Sequence, residues 1–142
     1  MKNKRYIIRK TKIIQDIILI LINNLVESNL ISLILETLLE LVKNKDSTII
    51  TFLICIDFPK IVIVSQLNNE TLSGQSQFIV LKMLDIMLEY GERILSDKSN
   101  LLMNTFDQLG IGMIVEKMTV SKINIVSEEA EKIYKTYFKT DN

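Results

Sequence analysis

Residues 24–44 read NLVESNLISLILETLLELVKN, a stretch with helical spacing that carries its polar side chains in one line. Ser32, Glu36, Glu40 and Asn44 recur at every fourth position, so a helix sets them on a single stripe. An Asn amide offers both a donor and an acceptor to the main chain of an extended peptide. Carboxylates one and two turns away select Lys or Arg through charge-assisted hydrogen bonds. Glu36, Glu40 and Asn44 are therefore the candidate peptide-binding residues. The competing reading is a solvated face, which is the rule on amphipathic helices. Both readings remain open at the level of sequence.

Other chemistry finds little footing. The chain has no His, which removes the commonest general base and metal ligand. The Gly-Ile-Gly at 110–112 lacks the rest of a phosphate-binding pattern and reads as a junction between helices. Glu128, Glu129 and Glu131 read as the exposed start of a helix, where acids complement the positive end of the dipole. The six Met residues sit among apolar neighbours and fit core gaps. No catalytic residues, metal ligands or cofactors are expected, and the chain is not read as an enzyme.

The elements that must position the stripe follow from composition and period. The 142 residues contain 48 % hydrophobic side chains but only four Gly and one Pro, too few turn signals for an all-β fold. One domain of this length buries roughly two thirds of its unfolded surface. Ile13, Ile14, Ile17, Ile18, Leu21, Ile22 and Leu25 follow three-four spacing, and Leu19 and Ile20 widen the apolar face. Ser28 can cap the next helix, which turns Ile31, Ile34, Leu35, Leu38, Leu41 and Val42 inward. Asp46 or Ser47 caps a short helix over 47–56, and Pro59 fits the first turn of another over 59–67. The run KIVIV within it has strand propensity, but no partner strand is evident, so a helix is expected. A loop covers 68–76, and a long helix follows over 75–95, which Gly91 weakens or bends. After a break at 97–100, short helices are expected over 100–110 and 112–120, and a last one over 124–138.

Charge is zero overall but uneven. Six of the 17 basic residues and no acid lie in positions 1–12, leaving 11 bases against 17 acids in the remainder. That basic arm is interrupted by Tyr6, Ile7 and Ile8 and reads as the solvated start of the first helix, so nucleic acid is not expected as a partner. Cys55, alone and flanked by FLI and ID, is expected to be a buried thiol. Asn69-Glu70-Thr71 matches a glycosylation sequon by chance. The apolar run at 17–26 is half the length of a membrane span, so no membrane is expected.

The order short, medium, long helix repeats, with Glu40 and Lys82 at comparable points 42 residues apart. Armadillo and HEAT solenoids repeat about every 40–47 residues. The expectation is one all-α domain over 1–142, an armadillo/HEAT-like right-handed solenoid of about three repeats, with units at about 1–45, 46–97 and 98–142. With no polar cap on its first helix, self-association or a partner is expected at that end.

FPKIVIVSQLNNETLSGQSQFIVLKMLDIMLEYGERI resembles the penultimate armadillo repeat of importin-α (karyopherin-α), including Tyr90-Gly91-Glu92. The segment FDQLGIGMIVEKM with SEEAEKIYKTYF is similar to that family's last repeat, through Gly110, Val115-Glu116 and Tyr137-Phe138. The resemblance implies a concave groove in which a Trp and an Asn one turn later hold a basic nuclear-localisation peptide. By position the Asn is Asn44, the Trp place holds Glu40, and the second unit has Lys82 and Ile86; the chain has no Trp. The resemblance further implies a nuclear transport adaptor in cytoplasm and nucleus. Its partners would be a basic nuclear-localisation peptide, the nuclear export receptor or nucleoporins. A generic helical-repeat scaffold is the alternative.

Overall fold

The computed structural model describes residues 2–23, 28–44, 46–94 and 101–138, with side chains described over 9–23, 30–44, 46–92 and 102–138. Every regular element among the described residues is helical, and none is a strand. Helix α1 spans Lys2–Ile22, α2 Ser28–Lys43 and α3 Ser47–Cys55. A wide π-type stretch, Pro59–Val64, runs into Ser65–Leu67, and the two together form α4. Helix α5 is Gly74–Ile94, α6 Leu101–Gln108 and α7 Ile111–Met118. Finally α8, Asn124–Ile133, widens into a π-type last turn at Tyr134–Phe138. The break expected at 97–100 lies outside the described residues, as does Leu25.

Local chemistry sets the helix starts. Asp46 caps α3 by accepting a hydrogen bond from the Thr48 N–H at 2.9 Å, filling one of the donors a helix start leaves orphaned. Ahead of α5, the Ser73 hydroxyl accepts from the Ser76 N–H and the Leu72 carbonyl accepts from the Gln77 amide. KIVIV is helical, with Pro59 at the start where its missing N–H costs no bond. The basic stretch at 2–12 is not an arm but the first half of α1. In the 68–73 loop the Asn69 carboxamide oxygen accepts from both the N–H and the hydroxyl of Thr71, a turn that gives this Asn and Thr a structural role.

Asp57 joins α3 to α4 with φ of 66°, the left-handed region that costs an L-residue about 1–2 kcal/mol. Its carbonyl receives the N–H groups of Lys60 and Ile61, which fixes the bend between the two helices. A short polar side chain tolerates this geometry and a β-branched one does not. Asp57→Ile should lower stability by about 1–2 kcal/mol whereas Asp57→Gly should not. Thermal melts of the two variants read the difference, and equal melting points would refute the strain.

Helix α5 is the hub. Ile79, Val80, Leu81, Met83, Leu84, Met87 and Leu88 are all buried, as expected of a helix covered on most sides. α2 packs on one flank of it and α8 on the other, with α4 and α6 also against it. α1 lies against both α2 and α4, and α7 against α6 and α8. Helix α5 runs through Gly91 to Ile94, close to the expected end. A Cβ built on Gly91 falls 3.1 Å from the Leu102 Cβ, so the missing side chain lets α6 approach. At Gly110 the chain takes φ of 75° to turn from α6 into α7.

Candidate functional site

The stripe on α2 divides. Ser32 is not on the open part: its hydroxyl shares a 2.7 Å hydrogen bond with the Ser76 hydroxyl of α5, inside the contact between the two helices. Glu36, Glu40 and Asn44 are exposed. Asn44 stands in the turn just past Lys43, the last residue of the helix. The Lys43 ammonium donates to Glu40 at 3.3 Å, with both side chains more than half exposed. An exposed pair of this kind contributes about 0–1 kcal/mol, so an incoming Lys or Arg can displace it.

A second polar line runs along the contact of α5 with α8, and here the chain pairs its own charges. The Lys82 ammonium lies 3.2 Å from Glu129 Oε2 and 5.3 Å from the centroid of the Phe78 ring. Lys132 of α8 donates to Asp85 of α5 at 3.2 Å. That hydrogen bond and the Asp85 charge hold the Lys132 pKa above its usual value, with Glu129 and Glu89 adding to the effect. The Tyr137 hydroxyl is also pushed up, first by burial and then by the carboxylates of Asp85, Glu92 and Glu89. It stays protonated and can donate throughout the neutral range.

Glu129 corrects the sequence reading. It is 6 % exposed, not part of a wet helix start, because it falls on the inward face with Val126, Ala130 and Ile133. Its neighbours Glu128 and Glu131 are exposed as expected, and Glu131 accepts from Lys135 at 2.8 Å. Lys82 and Glu129 are 47 positions apart, so no local pattern links them. Glu129 Oε1 and Gln66 Oε1 are buried without a hydrogen-bond partner. Such acceptors cost stability unless a donor reaches them.

Cys55 is a further correction. It is exposed, because on α3 it shares the outward face of Thr51 while Ile49, Ile50 and Leu53 point inward. No group of three or more His, Cys, Asp or Glu side chains among the described residues is arranged to hold a metal ion. No single described helix is long and apolar enough to cross a membrane, and α3 with α4 passes that test only as a pair bent by 72°. The polar features among the described residues are thus the exposed Glu36, Glu40 and Asn44 on and just past α2 and the charge pairs between α5 and α8. Comparison of the chain with protein families, curated proteins and solved structures finds no match.

Proposed function

We propose that this chain is a protein-binding helical-repeat module, an armadillo-like right-handed solenoid of three units that works as a fragment of an importin-α-like nuclear transport adaptor. One observation supports this most: the long helices contact one another in chain order, α2 on α5 and α5 on α8, with α1 also touching α4. Stacked units of that kind bury a continuous core and leave one face of the long helices as a recognition groove. Units at about 1–45, 46–97 and 98–142 fit this order.

On this reading a basic nuclear-localisation peptide in cytoplasm or nucleus meets Glu36, Glu40 and Asn44, and the end that carries α8 meets transport factors. Without a Trp the grip rests on charge and one amide rather than on stacking of Lys stems. It is weak and falls as salt screens it. A second reading, a structural scaffold unrelated to nuclear import, is favoured by Lys82. That cation sits on the neighbouring long helix and already holds Glu129.

Titration of a Lys-rich nuclear-localisation peptide into wild type and into Glu36→Gln/Glu40→Gln separates the two. The adaptor reading expects weak binding that drops up to about tenfold in the variant, two exposed charge pairs at 0–1 kcal/mol each. It also expects binding to weaken with added salt. Equal, salt-insensitive binding by both proteins, or none by either, leaves the scaffold reading.

A further inference from the structure

Along α2 the rise per residue sets Glu36 and Glu40 about 6 Å apart on one face. Same-side residues of an extended peptide are two positions apart and separated by about 6.6–6.8 Å. A Lys-x-Lys pattern therefore matches the spacing of the two carboxylates. The carboxylates themselves are not equivalent. Glu40 already accepts from the Lys43 ammonium at 3.3 Å, one turn along the same helix. Glu36 is exposed and has no ion pair with a described residue. The chain occupies other carboxylates in the same way: Lys82 holds Glu129, Lys132 holds Asp85 and Lys135 holds Glu131.

The difference decides what each carboxylate offers a ligand. A basic side chain arriving at Glu36 forms a new charge pair. One arriving at Glu40 must first displace Lys43, so it exchanges one exposed pair for another of the same kind and gains almost nothing. The displaced ammonium does not leave the site. It stays within one turn of Glu40, where it repels the incoming cation. Lys43 is also in the last turn of α2, where the negative end of the helix favours a cation.

We propose that Lys43 is a specificity-determining residue of the α2 strip. It fills Glu40 as an internal ligand, so the strip takes one basic side chain, at Glu36, and gains nothing from a second. Neutralising Lys43 turns the strip into a site for two. The proposal rests on the reading of this strip as a peptide-binding surface.

Two otherwise identical peptides, one with a single Lys and one with Lys-x-Lys, test it by titration at low ionic strength. Wild type should bind both with about the same affinity. In Lys43→Gln the Lys-x-Lys peptide should gain about three- to fivefold over the single-Lys peptide, the effect of one exposed charge pair. Lys43→Arg should keep the wild-type ratio. So should Lys117→Gln, which removes the same charge from an exposed position on α7. Lys43→Gln placed on Glu40→Gln should also keep it, because the second carboxylate is then gone. Circular dichroism should show unchanged helix content in each variant. An equal ratio in wild type and Lys43→Gln, the same gain in Lys117→Gln, or a gain that persists without Glu40 would overturn the proposal and leave the peptide-binding reading standing. Absence of binding by every protein would overturn both.

Discussion

Lys82→Met is expected to destabilise the fold by about 2–3 kcal/mol, as read by urea unfolding. Removing one partner of a fully buried ion pair costs about 3–5 kcal/mol, because the remaining charge is left without compensation in a poor solvent. Lys82 keeps about a third of its side chain in water, which lowers the figure, but Glu129 is 7 % exposed and has one oxygen already unpartnered. The Met side chain preserves the stem that lies along Phe78, so packing loss is small. Adding Glu129→Leu to Lys82→Met should recover most of the loss, since a matched apolar pair is often as stable as the ion pair it replaces. A single variant within about 0.5 kcal/mol of wild type, the usual range for a surface change, would show that the pair is an ordinary surface contact.

Leu84→Ala carries the other large effect. Leu84 is fully buried on α5, the helix that α2 and α8 sandwich, and both flanking contacts depend on α5 holding its shape. Truncating a buried Leu costs about 2–5 kcal/mol, from lost transfer free energy and from the cavity left behind. A site hemmed in by helices on both sides collapses little, so a loss of about 3–4 kcal/mol is expected. Domains have only about 5–15 kcal/mol in hand, which makes this a large fraction of the whole. Leu33→Ala on the exposed stripe of α2 provides the contrast, with a change within about 0.5 kcal/mol. Similar losses in the two variants would mean that α5 is not the centre of the core.

The helices themselves were legible because their signals are local. Three-four spacing of Ile and Leu marked α1 and α2, Asp46 or Ser47 marked the start of α3, and Pro59 marked that of α4. KIVIV had the propensity of a strand. It is helical because its Val62 and Ile63 are buried in a core that offers no strand edge. Of the peptide-binding candidates, Glu36, Glu40 and Asn44 are exposed as the stripe implied, while Ser32 is held by Ser76, a residue 44 positions away. Gly91 is the place where α6 approaches α5 closely, which no local pattern announced.

The sequence by itself determined the all-helical character, the helix boundaries to within a few residues, and the amphipathic faces. Each of these depends on neighbours within about one turn, where periodicity and capping act. The tertiary structure alone decided which faces meet. It buried Glu129 against Lys82, turned Cys55 outward with Thr51, and matched Lys132 to Asp85. A side chain's dielectric and its ion partner are set by helices 40 or more positions away. Periodicity shows that a face must be covered, and only the packed arrangement shows by what.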